Sequence, residues 1–209
     1  VPDWLGLTRP RLRCRSRHAR PFLHAEQPML ASVARGVVRH HADDDWFHQT
    51  AAFGETSLEL ARRIRRATGD VDGLRPGFLG HILLELLLDA SLHAAEPARL
   101  DRYYAVLEEV DPREIAAAVG TISGVDAAPL AGIISRFLEM RFLYDYADDD
   151  RLFFRLSQVA VRAGLAPLPA SLRQILPGGR ELVAQARRQL LTPLAPLATV
   201  AAPAAEAGL

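Results

Sequence analysis

The sequence predicts an all-α protein, and three observations carry that expectation. Apolar residues recur at three- and four-residue spacing almost without a break from Pro28 to about Arg188, the period of helices that bury one face. No run alternates apolar and polar residues with period two between turn signals, as a half-buried strand would. Prolines and glycines punctuate the periodic segments where helices start and stop. The expected architecture is a single-domain helical bundle over residues 1–190.

Residues 1–27 hold few periodic apolar positions and many Arg and Pro, so they read as mostly loop. Pro28 through Ala52 reads as one helix with Met29, Val33, Val37 and Phe47 on its apolar side. A second runs from Thr56 to Thr68, stopped by Gly69, with Leu58, Leu60 and Ile64 buried and Arg62, Arg63, Arg65 and Arg66 solvated. A third starts after Pro76-Gly77 and reaches Ala95, and a fourth covers Pro97 to Glu109. Asp111-Pro112-Arg113-Glu114 is a helix start: Asp caps, Pro suits the first turn and Glu completes a capping box. That helix ends near Gly120–Gly124. Pro129 to Ala163 is a long periodic segment whose middle is broken or exposed by Asp148-Asp149-Asp150, and Arg180 to Leu190 is a last short helix. Residues 191–209, rich in Ala with Pro193, Pro196 and Pro203, are expected to form a mobile tail.

With 49% apolar and 24% charged residues over 209 positions, the composition excludes wholesale disorder, collagen-like repeats and a disulfide scaffold. Twenty-five basic residues balance twenty-five acidic ones, so charge gives no pull toward nucleic acid or membrane. Every basic residue is Arg, which weakens Arg richness as a sign of function. The single Cys14 excludes an internal disulfide and a Cys-based zinc site, and it fits a cytoplasmic setting. No charged start followed by an apolar core marks a secretory leader. The apolar stretch Phe78–Leu92 is interrupted by His81, Glu85 and Asp89, and reads as too short and too polar to span a bilayer.

Two stretches carry the chemistry. In Gly36-Val-Val-Arg-His40-His-Ala-Asp-Asp44-Asp-Trp-Phe-His48, His40, Asp44 and His48 fall at i, i+4 and i+8 on one helix face. Side chains at that spacing are neighbours and suit one metal ion. His41 and Asp45 form a competing pair rotated by one position. In Gly80-His81-Ile-Leu-Leu-Glu85-Leu-Leu-Leu-Asp89, His81, Glu85 and Asp89 repeat the arrangement with only Ile and Leu between. Buried carboxylates demand a partner or a metal. Two such helices facing across a bundle would hold one or two ions in its core. Imidazole with carboxylate suits Mn, Fe or Zn. The plain alternative for both stretches is a solvated polar face.

Asp3 could add a carboxylate, although such a residue is more often a cap. Arg9, Arg11, Arg13, Arg15, Arg17 and Arg20 form a local basic patch able to attract a phosphate or an acidic partner. His18, His24 and His93 lack ligand-spaced partners. The aromatic residues at 103–104, 142–146 and 153–154 read as core. Arginines near Cys14 would lower its pKa, but no orienting His–Asp set points to it. No Gly-rich phosphate loop is present.

Together, Pro-Asp3-Trp-Leu-Gly, the Gly36–His48 stretch and Gly80-His81-Ile-Leu-Leu-Glu85 resemble the acyl carrier protein phosphodiesterase family, grouped with the divergent HD-type metal-dependent phosphohydrolases. The resemblance covers residues 1–95 in motifs and extends to about residue 165 in helical character. It implies an HD-like arrangement with a metal site between two core helices. It also implies hydrolysis of a phosphodiester with a divalent metal, Mn first, with acyl carrier protein as the substrate. Asp3, His40, Asp44 and His81 would be the metal positions, with His48 added; Asp89 rests on its helical spacing. Glu85 or Asp45 would take the proton from water, and Arg39 or an arginine of the 9–20 run would steady the phosphate. The family's Asn-Phe-Leu-Ala-His-type opening has no counterpart from Val1 on, and Gly80 stands where the family carries an acid. The competing expectation is a non-catalytic helical interaction protein with a vestigial site.

Overall fold

The computed structural model describes residues 2–69 and 71–192, and no strand occurs among them. The chain is an all-α bundle. The helices are α1 (Pro2–Leu5), α2 (Ser16–Ala19), α3 (Pro28–His48), α4 (Ala51–Thr68), α5 (Pro76–Ala95), α6 (Pro97–Glu108), α7 (Pro112–Ser123), α8 (Pro129–Met140), α9 (Asp149–Arg162) and α10 (Leu176–Leu190). Short 3-10 turns at Arg20–Phe22, Phe142–Ala147 and Ala170–Ile175 link them. The tail expected over 191–209 lies, from 193 onward, outside the described residues.

The expected helix over Pro28–Ala52 is two helices. Thr50 leaves the helical region at φ −70°, ψ 140° and caps α4. Its hydroxyl accepts the Phe53 N–H at 3.2 Å and donates to the Phe47 carbonyl at 2.9 Å. A threonine so placed competes with helix continuation, and the apolar period running through Phe47 and Phe53 hides the break. The helix breaks there, so α3 presents His48 at its very end.

Helix α4 then lies along α5 in the most extensive helix pair of the fold. Gly80 explains how close they come: a Cβ at that position would meet the Ser57 carbonyl oxygen at 2.6 Å and the Ala61 amide nitrogen at 2.8 Å. An acid there, as in the resembled family, has no room. The same crossing turns Thr56, Leu60, Ala61 and Ile64 inward. Leu58, expected in the core, is instead 52% exposed. Arg63, expected in solvent, is half-buried, donating to Glu59 at 2.9 Å and to the Gly178 carbonyl on α10 at 2.7 Å.

Helix α5 corrects a further expectation. Its 20 residues make it long and apolar enough to cross a membrane by length and composition. In this fold eight of its residues, Leu83, Leu84 and Leu87 among them, are buried. It packs against α4, α10 and the Phe142–Ala147 turn as a core helix.

The segment from Pro129 to Ala163 breaks at Arg141, in the left-handed region at φ 42°, and again at Asp148, whose carboxylate caps α9. The acidic run therefore ends the segment's continuity as expected, and Arg141 adds a second break. The last helix begins at Leu176, ahead of the expected Arg180, with Pro177 in its first turn. Residues 1–27 are largely loop, yet they are not peripheral: Trp4, Leu5, Cys14 and Ala19 are buried.

Two hydrophobic clusters result. One joins α4, α5, α9 and α10 through residues such as Leu60, Leu83, Leu87, Leu156 and Val183. The other joins the N-terminal segment to α3, α7 and α8 through Trp4, Val37, Val119, Leu130 and Ile134. Burying each such side chain contributes about 1.5–3 kcal/mol. Phe142 and Leu143 pack against both clusters.

Candidate metal centre

The break between α3 and α4 leaves His48, the last residue of α3, against His81 and Glu85 on α5. His48, His81 and Glu85 offer one donor atom each, all within 4.8 Å of one another. Both His48 Nε2 and His81 Nε2 lie 3.2 Å from Glu85 Oε1. His48 Nδ1, on the other side of its ring, is 3.6 Å from Asp44 Oδ1. That carboxylate one turn back stands where an orienting partner of a ligating histidine belongs.

Aromatic packing fixes the ring planes. Phe53, from the first turn of α4, lies edge-on to His48 at 4.7 Å and to His81 at 4.8 Å between ring centroids. The two imidazoles are 4.7 Å apart. Thr50 thus serves the site indirectly, since the turn it caps delivers Phe53 to the two rings.

The charges follow the geometry. The hydrogen bond to Glu85 raises the His81 pKa above its usual 6.5, outweighing burial. Burial alone would push Glu85 up, but its hydrogen bonds with His81 and His48 hold the carboxyl below the usual 4.5. Asp89, one turn further along α5, goes the other way: burial, with the Glu85 and Asp3 charges adding, pushes it up to about 6.

The remaining sequence candidates are distributed as follows. Asp3 and His40 face each other at 3.8 Å between Oδ1 and Nε2, at the far end of the α3 polar ladder from His48. His41 Nε2 donates to the Cys14 carbonyl at 2.9 Å, so this histidine anchors the N-terminal segment. Its spacing partner Asp45 is exposed and forms no ion pair among the described residues. Arg39 is 79% exposed and held by Asp43 at 2.6 Å on the outer face of α3. These positions separate Asp45 and Arg39 from the three-residue cluster, because a helix carries successive residues to different faces. Arg9, Arg11, Arg13, Arg15, Arg17 and Arg20 are all exposed. Burial raises the Cys14 thiol pKa, reversing the lowering expected from nearby arginines.

Sequence reading missed Phe53, whose role depends on the turn at Thr50. Tyr146 is buried in the core as expected, but Tyr103 and Phe154, also expected in the core, are 43% and 55% exposed, and Tyr103 lines an open pocket. No family model, curated protein or solved structure matches the chain.

Proposed function

We propose that the chain is a metal-dependent phosphodiester hydrolase of the kind the acyl carrier protein phosphodiesterase resemblance implies. The observation that carries this reading is the convergence of His48, His81 and Glu85 from two helices within 4.8 Å. Two imidazole nitrogens and one carboxylate oxygen fit Mn, Fe or Zn, and three protein ligands leave coordination positions for water and substrate. A divalent cation held there supplies a bound water of lowered pKa and polarises a phosphoryl oxygen. His48, His81 and Glu85 are the proposed ligands, and Asp44 orients His48 through Nδ1.

Glu85 is engaged with both imidazoles, so the role of proton acceptor passes to Asp89. Its carboxyl, at about 6, exchanges a proton near neutral pH. His40 with Asp3 extends the same polar stripe and offers a second, weaker cation position. Mn as the metal and acyl carrier protein as the substrate are what the resemblance adds, and a cytoplasmic setting is what the single Cys14 adds.

The test is elemental analysis together with hydrolysis of bis-p-nitrophenyl phosphate by the full chain. The expected result is about one transition metal per chain, with three protein ligands each, and turnover that His48→Ala/His81→Ala abolishes. Turnover persisting in the double variant, or no metal after soaking with Mn, overturns the assignment.

A further inference from the structure

Beside the polar stripe the fold forms an open-mouthed pocket of about 600 Å³, within the range that accepts a small organic ligand. Asp3 and Asp89 line it, and so does Arg99, which lies 4.0 Å from Glu96. Much of the rest is aromatic, including Trp4, Tyr103, Phe137, Phe142 and Tyr146. The wall is set by ring packing: Phe137 meets Trp4 at 5.3 Å and Phe142 at 5.2 Å between centroids.

Arg162 on α9 lines this cavity and also an adjoining one of about 370 Å³. Its neighbour Arg155 is held by Asp145 at 2.6 Å. No carboxylate among the described residues pairs with Arg162. Burial, with the charges of Arg155 and Arg9, lowers its pKa. A guanidinium among other cations at the edge of an aromatic chamber gains from an anion that neutralises it. His93 Nδ1, buried without a hydrogen-bond partner, belongs to a residue of the same wall. The two aspartates repel an anion and Arg99 already has Glu96 beside it, so the acid group of a ligand is drawn to Arg162.

We propose that this cavity is a binding site for a small aromatic anion, its rings against the Trp4–Phe137–Phe142 wall and its acid group on Arg162. The site needs no cation at His48, His81 and Glu85, so its test is independent of the hydrolase reading.

The test is titration calorimetry of the full chain with metal chelated, using 2-naphthoate, 2-naphthyl phosphate, neutral 2-naphthol and cationic 2-naphthylmethylamine. The two anions are expected to bind saturably and the other two at least roughly tenfold more weakly, the value of one charge-assisted hydrogen bond. Arg162→Gln should weaken the anions by that factor and leave 2-naphthol unchanged. Leu100→Trp, which fills the chamber from α6, should abolish all binding while the thermal midpoint reports that the chain is folded. If Leu100→Trp fails to fold, Arg162→Gln, at a solvent-exposed rim position, decides alone. Equal affinity for the amine or the alcohol, anion binding indifferent to Arg162→Gln, or no binding of either anion overturns the proposal.

Discussion

His81 and Glu85 set opposite pH limits on the same hydrogen bonds. The raised His81 pKa stabilises the metal-free fold fully below 6.5, and that contribution is lost as pH rises through the folded value. The lowered Glu85 pKa stabilises above 4.5 and is lost as pH falls through its folded value. In chelator, the cluster is expected to stabilise most between 4.5 and 6.5, and His81→Ala should remove the fall in denaturant midpoint as pH rises above 6.5. A cation must displace the His81 proton, so Mn affinity should fall as pH drops through the raised pKa, with protons released on binding. Calorimetry in buffers of different ionisation heat reads that release. Asp89 carries the reverse penalty: raised from 3.8 to about 6, it costs stability as pH rises through that interval. Asp89→Asn should recover about 1 kcal/mol at neutral pH, after discounting for solvent at the cavity mouth; an unchanged midpoint would show that water already satisfies the carboxylate. The residue types at this centre were legible as two ladders of His and acid at four-residue spacing. Which rungs meet was not, because spacing fixes a face while the crossing of α3, α4 and α5 decides that His48, rather than His40, reaches His81.

At the scale of elements, the centre depends on one turn and one crossing. Thr50→Ala removes the α4 cap and should cost about 1 kcal/mol. It should also weaken Mn binding, since Phe53 then no longer holds both imidazoles. Gly80→Ala places a methyl against backbone atoms at 2.6 and 2.8 Å, which no side-chain rotation relieves. The strain should cost about 1–3 kcal/mol and outweigh the gain of about 1 kcal/mol that alanine brings to a helix interior. Urea midpoints of both variants check the costs, and a Gly80→Ala chain at least as stable as its parent would refute the close crossing. Helix starts were legible because proline heads α3, α5, α6, α7 and α8 in their first turns. The breaks at Thr50 and Arg141 were not. Each falls inside a continuous apolar period, and only the caps and the left-handed Arg141 interrupt the hydrogen bonding.

The whole molecule has two apolar clusters, and the polar stripe runs where they adjoin. His48 comes from α3, whose upstream turns bury Leu30, Val33 and Val37 in the cluster of α7 and α8. His81 and Glu85 come from α5, which centres the other. Apolar spacing does not reveal this division, since it marks which residues are buried whichever cluster they join. A cation bridging α3 and α5 therefore ties the clusters together, and its binding energy adds to the stability of both. At a hundredfold excess over Kd, that linkage is about 2.7 kcal/mol, or a rise of roughly 5–10 °C in Tm for a chain of this size. Trp4 reports on the α3 side in a Trp46→Phe chain, and hydrogen exchange at Leu83–Leu88 reports on the α5 side. Both are expected to gain protection together on adding Mn, and neither should respond in His48→Ala/His81→Ala. Protection confined to α5 would mean that the cation, if bound, is held by His81 and Glu85 alone and that His48 is not its ligand.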